Sequence, residues 1–515
     1  MSPHAVSPPR VEQNGCHNDA LQNGDTNGLS LPAQRNKSLL KPTEPNDIQD
    51  LICVGFGPAS LAIAIALHDA LEANDTTSIS SLKDRSPKVM FLEKQPHFAW
   101  HSGMLLEGAR MQITFIKDMA TLRNPRSSFT FLNYLHQKNR LVPFTNLNSF
   151  LPQRVEFEDY LKWCASWFDN VVQYANQVVS VKPVRSSTGA IKPIEMFEVA
   201  SRNDHTGQMT LQYARHVVIA VGGHGTIPPP FVQHSRIIHS SQHSHVTPKI
   251  LSDPYAPHRI AVIGSGQSAA EIFDNLQSTY PNSRTTLIVR GAALKPSDDS
   301  PFVNEIFDPS RVDSFFSQPN DWRTSSNIEY RGTNYGVVRL DLLDRIYETL
   351  YIQRIRFGND ETEWKHRIIT NSSVRAVETF EEVVRLSVAT NGQKADCAMD
   401  FDLAIVATGY TRNLHEQLLQ PARDLLPGGD QPGKLWTVSR DYRLQFEDGS
   451  VSQDAGVWLQ GCNENTHGVG FGKHNTPAID EIDDIQLSDT LLSILAVRGG
   501  EIVKSIFGGQ SVDDE

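Results

Sequence analysis

Two short glycine-rich strings in this chain have the composition of phosphate cradles. Gly55-Phe56-Gly57-Pro58-Ala59-Ser60 follows the apolar run Leu51-Ile52-Cys53-Val54, and Gly264-Ser265-Gly266-Gln267-Ser268-Ala269 follows Ile260-Ala261-Val262-Ile263. A strand that ends in glycine lets the backbone approach a pyrophosphate. The helix that follows turns free N–H groups and its positive dipole end toward the phosphates. The candidate contacts are Gly55, Gly57, Pro58 and Ser60 in the first string, and Gly264, Ser265, Gly266, Gln267 and Ser268 in the second. Two cradles imply two dinucleotides.

The residue at the end of the next strand distinguishes them. Lys88-Val89-Met90-Phe91-Leu92 ends at Glu93, and a carboxylate there accepts hydrogen bonds from the ribose hydroxyls of an unphosphorylated adenosine, as in FAD. Thr285-Thr286-Leu287-Ile288-Val289 ends at Arg290, whose guanidinium favours the 2′-phosphate that a carboxylate would repel. The first site is expected to take FAD and the second NADPH.

These cradles require an α/β fold with two Rossmann-like dinucleotide-binding domains. The helix from Leu61 to Leu67 is apolar on all sides, as a helix between a sheet and another layer must be. Strands at His216–Val221 and Asp402–Val406 bracket the second string, and Glu382–Val388 reads as a further strand. The economical arrangement is an FAD domain interrupted by an NADPH domain and completed at Ala407-Thr408-Gly409, which adds Thr408 and Gly409 to the FAD contacts. The expected divisions are a disordered tail at 1–45, FAD domain at 46–250, NADPH domain with substrate segments at 251–400, the rest of the FAD domain at 401–498, and a tail at 499–515.

At 515 residues the chain exceeds one hydrophobic core, and its net charge of −12 without a basic stretch argues against nucleic acid or an anionic membrane as partner. Cys16, Cys53, Cys164, Cys397 and Cys462 form no C-x-x-C pair, so no redox dithiol is expected. His234, His239, His243 and His245 lack a convincing ligand set and read as a polar connection between the domains, leaving no metal site. The most apolar run, Leu61 to Leu67, is too short to cross a bilayer, and a cytoplasmic protein is expected.

FAD with NADPH and no dithiol leaves electron-transferring reductases and oxygen-activating monooxygenases. The strings Met111 to Pro125 and Ser127 to Leu135 closely resemble the fungal L-ornithine N5-monooxygenases of hydroxamate siderophore biosynthesis. So do Lys295 to Glu305, Thr333-Asn334-Tyr335, Thr466-His467-Gly468 and Leu487 to Ser493, and the likeness runs from Asp50 to about Arg498. In that family NADPH reduces FAD, O2 adds to give a C4a-hydroperoxyflavin, and the terminal amine of L-ornithine attacks the distal oxygen. The resemblance implies that Lys117 pairs with the substrate carboxylate while Asn304, Asn334 and Ser488 complete its hydrogen bonds. It places Gln112 near flavin and nicotinamide, puts Arg154 at the junction with NADP, and suggests a homotetramer. No protein side chain is expected to act as nucleophile or base, and His467-Gly468 reads as a structural turn. A lysine N6-hydroxylase or another amine N-hydroxylase of the same fold is the nearest alternative, because one methylene separates ornithine from lysine.

One departure stands beside the substrate segments. In the family pattern Thr-His-Gly runs directly into Leu-Ser-Asp-Thr-Leu-Leu-Ser, whereas here the 18 residues Val469 to Gln486 intervene. Valine codons begin GT and a glutamine codon is CAG, so the segment has the ends of an in-frame retained intron. A genuine loop insertion is the other reading, and a flavin-binding protein disabled by the segment is the corresponding alternative function.

Overall fold

The computed structural model describes residues 37–44, 46–83, 85–185, 192–334, 336–461, 467 and 492–509, with the side chains of 331, 332 and 334 excepted. Residues 1–36, Cys16, Cys462, Gly468, the 469–486 segment and Ser488 lie outside it.

The first sheet is built from β1 (Ile48–Val54), β2 (Val89–Leu92), β3 (Val172–Gln173), β4 (Asn176–Pro183), β5 (Phe197–Asn203) and β6 (Met209–Ile219) in the order β3-β2-β1-β6-β5-β4. Its central pairs, β1 with β2 and β1 with β6, are parallel. Alternation along β1 separates two cores: Leu51 and Cys53 face one, Ile52 and Val54 the other. The first core is closed by helix α1 (Pro58–Ala73) and by the aromatic cluster of Phe129, Phe131 and Tyr134 with Phe157 and Tyr160 of α2 (Arg154–Ala165).

The second sheet contains β7 (Ile237–His239), β8 (Arg259–Ile263), β9 (Arg284–Ile288) and β10 (His366–Ile369). Helix α3 (Gln267–Thr279) packs Ala269, Ile272, Phe273 and Leu276 against Ile260, Val262 and Leu287 on one face. The other face is covered by an antiparallel sheet of β11 (Ser372–Thr379), β12 (Val384–Thr390) and β13 (Cys397–Phe401). Next comes β14 (Leu403–Val406), and β15 (Gly456–Leu459) then pairs with β6 in the first sheet.

Four expected boundaries shift. The expected tail at 1–45 ends earlier, because Leu40 is buried in the first core, the Ser38 N–H donates to the Trp167 carbonyl at 3.0 Å and Asn170 Nδ2 donates to the Leu40 carbonyl at 2.8 Å. Strand β14 does not complete the FAD domain, because it lies parallel between β8 and β7 in the second sheet. Strand β7 puts the start of that sheet ahead of residue 251, and the return to the first sheet is made by β15 instead. A buried run such as Leu403-Ala404-Ile405-Val406 states that it is covered on both faces and not which sheet covers it. Residues 499–507 are not a tail. They belong to a helix whose Leu495, Ile502, Val503, Ile506 and Phe507 enter the first core, and a Cβ on Gly499 would stand 2.8 Å from the Ala62 backbone.

Candidate active site

Both glycine strings adopt the geometry expected of a cradle. Gly55 has φ +91°, and a Cβ there would lie 2.6 Å from the Ala220 carbonyl oxygen; at Gly264, with φ +143°, the clash is with the Ala407 oxygen at 2.5 Å. Gly57 and Gly266 are the N-caps of α1 and α3, and neither helix receives a side-chain cap. A Cβ on Gly57 would meet nothing within 4 Å. Open space before the uncapped N–H groups of α1 fits a phosphate there, while at α3 a Cβ on Gly266 would touch the Gly336 backbone at 3.5 Å.

Glu93 sits at the end of β2, buried, with its two oxygens accepting the N–H groups of Phe56 at 2.7 Å and Gln95 at 2.8 Å. It thereby locks the first glycine turn, and a carboxylate has lone pairs left for ribose hydroxyls. Ser60 departs from expectation: its side chain is fully enclosed beside Cys53, leaving the hydroxyl turned into the core.

A cavity of about 970 Å³ is walled by Gln112, Lys117, Arg154, the second string from Gly264 to Ser268, Arg290, Asn304, Thr408 and Gly409. The first string and Glu93 lie outside its walls. Among the described residues, five cationic side chains, Arg110, Lys117, Arg154, Arg290 and Arg375, line it with one carboxylate, Asp299. In a chain of net charge −12, this is a local site for anions. Thr408 and Gly409 reach the cavity from the end of β14, and the Gly409 carbonyl shares a 2.9 Å hydrogen bond with His239 Nε2. They stand at the inner ends of the second sheet, a correction to their placement within the FAD domain.

Each side chain is held by its neighbours. Lys117 is half-buried on a loop organised by Asp118, whose carboxylate accepts the N–H groups of Ala120, Thr121 and Phe131 at 2.9, 2.6 and 2.7 Å. Burial nonetheless pushes the Asp118 pKa upward. Asn304 ends the short helix α4 (Pro301–Asn304), and its Nδ2 donates to the Asp299 carbonyl at 2.9 Å, a turn-forming bond that leaves the amide at the cavity wall. Asn334 is the last residue of α5 (Asn320–Asn334).

Arg154 has an additional partner that sequence reasoning did not supply. Its guanidinium makes two 2.8 Å bonds to Glu271 of α3 and one of 2.9 Å to the Met104 carbonyl. The expected NADP contact is therefore also a clamp that ties α2, beside the first sheet, to the helix of the second cradle. Gln267 extends it: Nε2 donates to Glu271 at 2.9 Å, and Oε1 accepts the Arg339 N–H at 2.9 Å. Arg339 in turn donates to the Met111 carbonyl at 3.1 Å, fixing the loop that carries Gln112.

His467 is buried, stacked on Tyr442 with centroids 4.3 Å apart and bonded to the Arg440 carbonyl at 3.0 Å. Burial pushes its pKa down to about 3, which suits the structural reading. Among the described residues, His68, Asp69 and Glu72 come together, but His68 accepts the Leu39 N–H and Asp69 holds Arg123 and Ser127. Trp100, His101, Arg375, Tyr410 and Ser493 also line the cavity and were not identified from sequence. No periodic pattern marks them, since they come from a loop, a strand bulge, a two-residue strand and a helix start.

Two dinucleotide cradles and a cation-lined cavity at the strand ends of the second sheet define an FAD- and NADPH-dependent oxidoreductase. The chain belongs to the L-lysine 6-monooxygenase/L-ornithine 5-monooxygenase family, whose profile matches residues 47–412. It is 54% identical over 496 residues to an L-ornithine N(5)-monooxygenase of Cochliobolus heterostrophus, covering 93% of this chain and 90% of that protein. Among solved structures it is similar to ornithine hydroxylase PvdA from Pseudomonas aeruginosa, with 35% identity, TM-score 0.76, and coverage of 90% of this chain and 99% of that one. It is also similar to the Kutzneria sp. 744 ornithine N-hydroxylase KtzI with reduced FAD, NADP+ and L-ornithine, at 30% identity and TM-score 0.75, covering 89% and 99% of the two chains. Among the described residues, no helix is long and apolar enough to cross a membrane.

Proposed function

We propose that this protein hydroxylates the side-chain amine of L-ornithine to N5-hydroxy-L-ornithine, using NADPH and O2, as the first step of hydroxamate siderophore assembly by a cytoplasmic homotetramer. The observation that carries the reading is that Lys117 and Asn304 wall the same cavity as the second cradle and Arg290. A small amino acid held there by its head would share the cavity with the dinucleotide.

When bound, FAD supplies the redox chemistry, taking the hydride of NADPH and passing its electrons to oxygen. The chain supplies position and environment. Gly57, Pro58 and Glu93 would hold the FAD pyrophosphate and ribose end, while the α3 N-terminus and Arg290 would hold NADPH. Lys117 binds the substrate carboxylate through a charge-assisted pair, and Asn304, Asn334 and Ser488 complete the hydrogen bonds. Trp100, Met111 and Ile113 form apolar wall that excludes water from the reacting amine. Gln112 and Arg154, which line the same cavity, would lie near the junction of the two cofactors.

The test compares NADPH oxidation with hydroxylated product for ornithine, lysine and putrescine on the FAD-loaded enzyme. Tight coupling with ornithine supports the proposal. More product from lysine assigns the protein to lysine, and NADPH oxidation with no product from any amine identifies a flavoprotein that does not hydroxylate.

A further inference from the structure

We propose that Arg375 supplies a second guanidinium, beside Arg290, to the site that grips the 2′-phosphate of NADPH, so that the β11–β13 sheet helps select the phosphorylated dinucleotide. This rests on the NADPH reading and adds a residue and an element to it.

The two arginines come from segments stitched together. The Ser372 N–H donates to the Val289 carbonyl at 3.0 Å and the Asn371 N–H to the Gly291 carbonyl at 2.9 Å, so the start of β11 is bonded on both sides of Arg290. Three residues later the β11–β12 register slips between Val374 and Ala376, which makes Arg375 the bulged residue. A bulge re-aims its side chain, and Arg375 lines the cavity together with Arg290. Ser373 and Asn391 line the same wall.

Charge explains why one arginine is insufficient. A phosphomonoester carries roughly −1.5 to −2 at neutral pH, so a single guanidinium leaves up to about one charge unmatched. Two neighbouring guanidiniums neutralise it. With a bare 2′-hydroxyl in place of the phosphate both charge-assisted contacts are lost, which favours NADPH over NADH.

Calorimetric titration of the FAD-loaded enzyme with 2′,5′-ADP and with 5′-AMP tests this without turnover. Arg375→Ala should weaken 2′,5′-ADP binding by about 10- to 100-fold and change 5′-AMP binding by less than about twofold. Arg375→Lys should recover part of the loss, and Arg290→Ala should show the same selectivity. Arg375→Ala binding 2′,5′-ADP like the unaltered enzyme overturns the assignment, as does an equal loss for both ligands, which marks a structural residue. Equal binding of the two ligands by the unaltered enzyme overturns the NADPH assignment of this cradle as well.

Discussion

Removing Glu271 should show that the Arg154 clamp is a structural coupling between the two cradles as well as a cavity wall. The Arg154 and Glu271 side chains are 13% and 8% exposed, so this is a mostly buried, bidentate pair. Breaking a fully buried pair from one side costs about 3–5 kcal/mol, because a charge is left uncompensated in a poorly solvated place. Arg154 keeps its bond to the Met104 carbonyl and some solvent access, which brings the expected cost of Glu271→Ala to about 2–4 kcal/mol. At about 2–4 °C per kcal/mol for large domains, the melting temperature of the FAD-loaded protein should fall by roughly 5–15 °C. Glu271→Ala also releases Gln267, and through Arg339 the Met111–Gln112 loop, so KM for NADPH should rise together with the loss of stability. A double-mutant cycle with Arg154→Ala isolates the pair: the double variant should cost little more than either single one. Simple addition of the two single costs, or a melting temperature for Glu271→Ala within about 2 °C of the parent, would refute the clamp.

Lys117→Ala should raise the ornithine KM about 10- to 100-fold while NADPH still reduces the flavin at the parental rate, measured anaerobically by stopped flow; equal damage to flavin reduction would remove Lys117 from the substrate site. Gly499→Ala forces a Cβ to 2.8 Å from the Ala62 backbone and should destabilise by about 1–3 kcal/mol, whereas Gly57→Ala meets open space and should keep the fold but lose FAD, read from visible absorbance after gel filtration. Acid should destabilise the fold: burial pushes His216 and His366 down to about 4 and His467 to about 3, so below pH 6.5 the unfolded chain binds protons that the native chain does not. Stability from these groups is complete above about pH 6.5 and drains as pH falls toward 4, by at most about 1.4 kcal/mol per pH unit for each. Urea midpoints at pH 7.5, 6 and 5 should fall in that order, and a flat series contradicts the sign.

The cradles were legible because their causes are local. Gly55 and Gly264 need positive φ next to a neighbouring strand end, and uncapped helices follow each string, so sequence alone located both. Sheet membership was not legible, since β14 differs from a strand of the first sheet only in its neighbours. The helix at 492–507 was hidden by Gly499-Gly500, a pair that resembles a helix stop and here permits contact with α1 and Arg123. Glu271 lies 117 residues from Arg154, and no spacing rule connects them. Lys117 and Asn304 came from the family likeness, and their shared cavity supports it; the Asn334 side chain and Ser488 fall outside the described residues.

The same cavity bears on the protonation of the proposed substrate. A terminal alkylamine resembles lysine, with a pKa near 10.4, so at pH 7.5 roughly one molecule in a thousand is neutral and nucleophilic. The five cations of the cavity suggest that like charge expels the proton, but most of them are already answered. Glu271 neutralises Arg154; in the proposed complex the substrate carboxylate would offset Lys117 and the 2′-phosphate would offset Arg290 with Arg375, while Arg110 donates to the Leu151 carbonyl at 3.1 Å. Desolvation by Trp100, Met111 and Ile113 is the larger remaining effect, and burial of this kind lowers an amine pKa by as much as 3–5 units. Ornithine binding to the enzyme with NADP+ should therefore release a proton. Calorimetry in phosphate and in Tris, whose ionisation enthalpies differ, should give different binding enthalpies, and Ile113→Asn should shrink the difference. Identical enthalpies in the two buffers would mean that the amine enters charged and loses its proton only during the reaction, which would require a proton acceptor that the cavity walls have not been assigned.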